Sequence, residues 1–304
     1  MKTVIKRTFI GIGGGLALAL IGVAGYAYRQ IRDYDASMAV EYAPELPKIT
    51  ASTDPAVISR GKHLAQSVAG CASRDCHGSD LAGGRRVSLG PVGTIAGPNI
   101  TAGGIGAVYS DTDLVRLIRF GVKKDGRSVR MMPVQDFSWL PDDDLTTLVS
   151  YLKSAPSSDK GSGATEVGVL GKVLDRQGKF VWDVARHVKN LPPDKPRAVE
   201  PNRNYGRYVV RLCTGCHGEH LSGGPIPGAP PSLPTPANIT MHETGIRAYT
   251  FEDFTRLMKT GVRKDGRVLD PFMAIDLTKN FDDVELRALW DELTSRPPRK
   301  FGER

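Results

Sequence analysis

The apolar positions of the chain fall into two patterns. The first is a continuous run. Phe9 to Tyr28 holds no charged side chain, with Lys2, Lys6 and Arg7 before it and Arg29 and Arg32 after it. Twenty helical residues extend ~30 Å, the depth of a bilayer core. The run therefore predicts a membrane anchor over residues 1–30. A cleaved signal peptide is the alternative, with Gly25-Tyr26-Ala27 as its cleavage site. Basic flanks stay on the cytoplasmic side, which places everything after Arg29 outside.

The second pattern is helical spacing, and it occurs in two matching sets. Val57, Ile58, Gly61, Leu64, Ala65 and Val68 recur on one face, as do Tyr205, Tyr208, Val209 and Leu212. Ser110-x-x-Asp113 and Thr250-x-x-Asp253 each open a helix with a capping arrangement. Leu114, Leu117 and Ile118 follow in one, and Phe254, Leu257 and Met258 in the other. Gly121 and Gly261 stop these helices as left-handed caps. Two last helices carry Leu145, Leu148, Val149 and Leu152, and Leu286, Leu289, Trp290 and Leu293. Gly61 and Gly206 predict close crossings of first and last helices, near Tyr151 and Trp290. No stretch alternates long enough to predict a strand, so both sets read as almost wholly helical.

The sets belong to an internal duplication. CHGSDLAGG (76–84) returns as CHGEHLSGG (216–224), Asn99-Ile100-Thr101 as Asn238-Ile239-Thr240, and GVKKDGR (121–127) as GVRKDGR (261–267). A period this long means tandem domains, not a solenoid. The division is an N-terminal segment 1–30, a linker 31–54, a first module 55–155, a joining segment 156–200, a second module 201–296 and a basic tail 297–304. Ser154 to Gly163 predicts a mobile or extended stretch, Val167 to Val184 a short helix between the modules, and Leu191-Pro192-Pro193 with Pro196 a stiff approach to the second.

Composition changes this picture little. The mix is globular, and the net charge of +8 suits acidic partners. No basic run interleaved with aromatics supports nucleic acid. Four cysteines in 304 residues are too few for a disulfide scaffold.

The placement of those cysteines carries the chemistry. Cys213-Thr-Gly-Cys216-His217 is a C-x-x-C-H sequence, which reads as covalent c-type haem attachment. Two thiols three positions apart share a helical face and can each bond a haem vinyl group, and the next imidazole can reach the iron. In the first module the sequence is Cys71-Ala-Ser-Arg-Asp-Cys76-His77. Its two extra residues predict a bulge from Ala72 to Asp75. A Cys71–Cys76 disulfide is the alternative there.

With the Met segments downstream, these motifs resemble membrane-anchored dihaem c-type cytochromes with two class-I-like domains. The fold that resemblance implies is all-α: two tandem cytochrome c-like haem domains behind an N-terminal transmembrane helix. It implies two covalently bound haem c groups, held by Cys71 and Cys76 and by Cys213 and Cys216. It implies His77 and His217 as proximal iron ligands, with the backbone carbonyls of Pro98 and Ala237 orienting them. The sixth ligands would be Met132, in Met131-Met132-Pro133, and Met273, followed by Ala274 where the family usually has proline. His63, His187, His220 and His242 read as surface or satisfied loop residues, with His220 the spare ligand if Met273 fails. Met241 and Met258 read as packing.

The implied function is one-electron transfer by a carrier rather than an enzyme. It would lie at the cytoplasmic membrane with haem domains facing the periplasm, lipid as a partner of the N-terminal helix, and redox proteins as donor and acceptor. The donor would be a quinol-oxidising complex or dehydrogenase, the acceptor a cytochrome or terminal oxidase. A dihaem peroxidase is one alternative, and a cytochrome subunit of a multi-subunit dehydrogenase another.

Overall fold

The computed structural model describes residues 2–304 apart from 162, 189–192, 228 and 230–232, and side chains from residue 15 onward. The stiff stretch expected at Leu191-Pro192-Pro193 lies mostly outside these residues. In chain order the described elements are α1 (Lys2–Met38), α2 (Pro55–Gln66), β1 (Val87–Ser88), β2 (Gly93–Ile95), α3 (Asp111–Phe120), α4 (Asp142–Ser154), β3 (Glu166–Val167), α5 (Val169–Arg176), α6 (Arg203–Val209), α7 (Arg211–His217), α8 (Phe251–Thr260), α9 (Ile275–Thr278) and α10 (Asp283–Ser295). Helices α2 to α4 belong to copy one of the repeat and α6 to α10 to copy two.

Two expectations are corrected. Among the described residues no helix is long and apolar enough to cross a membrane. The predicted transmembrane helix is instead part of α1, which runs past the uncharged stretch through Arg29, Arg32, Asp33 and Asp35 to Met38. Its later turns are docked on α5. Tyr34 is buried there, the Lys172 ammonium lies 2.6 Å from Asp35, and the Gln177 amide donates to the Tyr26 hydroxyl at 3.3 Å. Polar contacts with α5 and its end thus hold the later turns of the helix, beginning at Tyr26 inside the uncharged stretch.

The all-α expectation is also overturned. About 42% of the chain is helical, and a small antiparallel sheet in the order β1-β2-β3 joins two strands of copy one to a strand of the joining segment. Val87 pairs with Ile95 and Gly93 with Val167. Strands of two or three residues show no alternation in sequence, which is why pattern missed them. The predicted helix within Val167 to Val184 exists as α5, but it packs on α1 and β2 rather than between the copies.

Both middle helices have the capping boxes and left-handed glycine caps read from sequence. Ser110 and Thr250 each exchange hydrogen bonds with the Asp at N3, and Gly121 and Gly261 take φ of 67° and 71°. The first and last helices of each copy cross at a glycine. A Cβ on Gly61 would stand 1.9 Å from the Thr147 carbonyl oxygen, and one on Gly206 would stand 2.1 Å from that of Ala288. Tyr151 flanks the first crossing as expected. Trp290 does not flank the second, because it packs on Phe251 and Phe254 instead.

The two copies share one hydrophobic core, with Leu64, Leu145 and Leu148 from one side and Tyr208, Leu286 and Leu289 from the other. Trp139 meets Tyr208 edge to face at 5.1 Å, and the Arg211 guanidinium lies 4.3 Å from the Trp139 ring centre. Polar groups fasten the rim. His63 Nε2 lies 2.9 Å from the buried Glu285 carboxylate, and Arg60 donates to the Tyr205 hydroxyl at 3.3 Å. Asn280 donates to the Gln66 carbonyl at 2.8 Å.

Candidate cofactor site

Each copy positions its cysteines at the end of its first helical segment. In copy two they lie on α7, a regular helix ending at His217. In copy one the extra residues are absorbed as a compact loop. His77 N–H donates to the Cys71 carbonyl at 3.1 Å and Gly78 N–H to the Ser73 carbonyl at 2.9 Å, so Cys76 and His77 fold back beside Cys71. All four cysteines are free thiols, so the Cys71–Cys76 disulfide is not formed.

The next link is the segment opposite the histidine. His77 Nδ1 lies 2.9 Å from the Pro98 carbonyl oxygen, and His217 Nδ1 lies 2.7 Å from that of Ala237. A carbonyl only accepts, so the proton belongs on Nδ1 and Nε2 keeps its lone pair. Burial lowers the pKa of both imidazoles and favours the neutral, metal-ligating form.

The repeated Asn-Ile-Thr holds that carbonyl in place. Asn99 Oδ1 accepts from Thr101 N–H at 3.0 Å and from its hydroxyl at 2.7 Å, while Nδ2 donates to the Ser158 carbonyl at 2.8 Å. Asn238 does the same with Thr240, and its Nδ2 donates to the Arg299 carbonyl at 2.8 Å. The extended stretch after α4 and the basic tail thus perform one task in the two copies. Gly97 allows the Pro98 segment to lie directly on the cysteine loop, because a Cβ there would stand 1.5 Å from the Cys76 carbonyl oxygen.

Each arrangement borders a cavity. In copy one a cavity of about 410 Å³ is bounded by Cys71, His77, Pro98 and Met132 with apolar walls from Leu114 and Ile118. An adjoining lobe of about 120 Å³ adds Cys76. In copy two a cavity of about 290 Å³ is bounded by Cys213, Cys216, His217, Ala237 and Met273. The predicted site residues of each copy thus line the same space. Met131, beside Met132 in the sequence, takes φ of 63° and borders only the smaller lobe.

Burial pushes the Cys71 and Cys213 thiols up to about 12 and Cys76 to about 11. Buried thiols, a neutral imidazole and a thioether around an apolar cavity fit a covalently attached haem.

Sequence reasoning missed several neighbours of these cavities. Lys123 borders the first and Arg263 the second, at equivalent positions of the GVKKDGR and GVRKDGR repeats. The cationic third position of that repeat was the available signal. Asp136, from copy one, borders the copy-two cavity, and no local pattern announces it. His220 is exposed and does not line that cavity. His63, read as a surface or satisfied residue, lies at the seam between the copies against Glu285.

No protein-family model matches the chain. It is 27% identical over 264 residues to the fructose dehydrogenase cytochrome subunit of Gluconobacter japonicus, covering 79% of this chain and 52% of that protein. It is 28% identical over 282 residues to the cytochrome c subunit of the alcohol dehydrogenase (quinone) of Gluconobacter oxydans, covering 80% and 55%. The gluconate 2-dehydrogenase cytochrome c subunit of Pantoea cypripedii matches at 29% over 209 residues, covering 63% and 41%. The chain is similar to cytochrome c subunits of dehydrogenases. It spans about half the length of the first two relatives. Likeness to cytochromes c implies covalently bound haem c, which agrees with the chemistry of the two cavities.

Proposed function

We propose that this protein is a two-haem electron carrier that accepts single electrons from a dehydrogenase and passes them to a further redox protein, with its haem modules on the periplasmic side. The observation that carries the reading is the repetition of one chemical set. In each copy two cysteines, an imidazole bonded through Nδ1 to a carbonyl and a methionine border one apolar space, which in copy one comprises the cavity and its adjoining lobe. Bound haem would supply one-electron iron chemistry there.

The residues have separable tasks. Cys71, Cys76, Cys213 and Cys216 would tether the porphyrins. His77 and His217 would bind iron through Nε2, with the Pro98 and Ala237 carbonyls fixing each ring and raising its basicity. Met132 and Met273 would fill the sixth positions, and a thioether opposite histidine raises the potential. With Met132 and Met273 in those roles no place would be left for a peroxide, which favours a carrier over a peroxidase. The relatives' names favour a dehydrogenase as electron donor. Export also suits the thioether linkage, which is made outside the cytoplasm.

Mass spectrometry of chain matured with its haem-attachment machinery tests the proposal. Two covalent haems are expected, falling to one in Cys213→Ala/Cys216→Ala. A mature chain with no covalent haem would falsify it.

A further inference from the structure

The segments that follow the two methionines cross between the copies. After Met132 the chain makes a 3₁₀ turn at Val134–Asp136, and Asp136 reaches the cysteine helix of copy two. A Cβ on Gly215 would stand only 3.6 Å from Asp136 Oδ2. After Met273 the chain enters α9, and Asp276 reaches back to the cysteine loop of copy one. Its Oδ2 accepts from the Ser73 hydroxyl at 3.1 Å and from Arg74 N–H at 2.8 Å. Each module thus lends a carboxylate to the other's attachment site.

The exchange is not symmetric. The Asp276 charge is absorbed by two donors in copy one. Among the described residues, Asp136 has no side-chain hydrogen bond or ion pair, and it faces a cavity whose other charged lining residues are Arg263 and Asp270 of copy two. An uncompensated negative charge beside a haem favours the ferric state, because the oxidised centre carries one more positive charge. Asp136 also acts on Cys76, but there Asp75 and Asp276 weigh more, whereas at Cys216 it is the foremost charge and outweighs the opposing Arg304.

We propose that Asp136, supplied by copy one, is a positioning charge for the copy-two haem that lowers the reduction potential of that haem. It rests on the two-haem reading given above. The copy-two site is then electrostatically incomplete without the neighbouring module. Burial alone pushes the Asp136 carboxyl up to about 6, so it is ionised at pH 8.

The test is a spectroelectrochemical titration of full-length holoprotein at pH 8, comparing wild type, Asp136→Asn, Asp136→Glu and Asp276→Asn. Haem per chain is counted first, so that loss of haem marks failure of the underlying reading and not of this proposal. With two haems present, Asp136→Asn is expected to raise one potential, increasing its Fe(II)/Fe(III) ratio at fixed poise on the order of tenfold, about 59 mV for one electron. The other haem should move less. The potential that rises should be the one Met273→His also displaces. Asp136→Glu should restore most of the wild-type value, and Asp276→Asn should leave the copy-two potential in place. Two unmoved potentials, equal movement of both, or the same shift from Asp276→Asn would overturn the proposal.

Discussion

Gly61 offers a test in which two effects oppose each other. Replacing a mid-helix glycine by alanine ordinarily stabilises a helix by ~1 kcal/mol. At Gly61 the new Cβ would stand 1.9 Å from the Thr147 carbonyl oxygen and 2.9 Å from Tyr151 Cβ. A comfortable carbon–oxygen approach is ~3.3 Å or more. Helices α2 and α4 would therefore have to part by roughly 1.4 Å, the difference between that contact and the available gap. A gap of ~1 Å already forfeits up to half of the dispersion energy between facing atoms. Leu64 and Ala65 would lose that contact with Leu145 and Leu148, all of them core residues. Overpacking of this kind costs ~1–3 kcal/mol and sometimes more. The clash involves backbone and cannot relax by a rotamer change, so the upper end applies and a net loss of ~2 kcal/mol remains after the propensity gain. For a domain of this size that is a fall in Tm of roughly 4–8 °C. Differential scanning calorimetry of holoprotein measures it. Gly25→Ala is the control, since a Cβ there meets nothing within 4 Å, and its midpoint should not fall. A Gly61→Ala midpoint equal to or above wild type would refute the reasoning.

The seam between the copies should weaken as pH rises. Hydrogen bonding of its ring N–H to the Glu285 carboxylate holds the His63 pKa above its ordinary 6.5, outweighing burial. Its contribution is then complete below 6.5 and is lost as pH climbs through the raised folded value. Urea midpoints followed upward from pH 6.5 should decline in wild type and decline less in His63→Gln; equal slopes would remove His63 from the account. Asn99→Ala and Asn238→Ala should each destabilise the chain by ~1–3 kcal/mol, because the buried Thr101 or Thr240 donors lose their acceptor. Urea unfolding checks both, and a loss below ~0.5 kcal/mol in either would contradict the assigned role.

What could be read from the sequence was what short spacing determines. Ser110 and Asp113 cap α3 from three positions apart, and Gly121 and Gly261 end helices by their own backbone conformations. The cysteine motif and the Asn-Ile-Thr turn are local in the same way. The duplication added length to these signals by repeating them. Other features depended on docking. Strands as short as Val87–Ser88 have no periodicity to detect. The uncharged run to Tyr28 resembled a span because nothing in it shows that Tyr26, Tyr34 and Asp35 meet α5. Asp136 and Gly215 are 79 positions apart in the sequence, and only the packing of one copy on the other joins them.

The core shared by Trp139, Tyr208 and their neighbours means the halves of this duplicated chain have surrendered their autonomy. Severed between the repeats, each fragment would present an oily aromatic face to water and cling to whatever covered it. Recombination that swaps a single half with a cousin would therefore have to carry matching seams on both sides, so the pair is inherited as a unit.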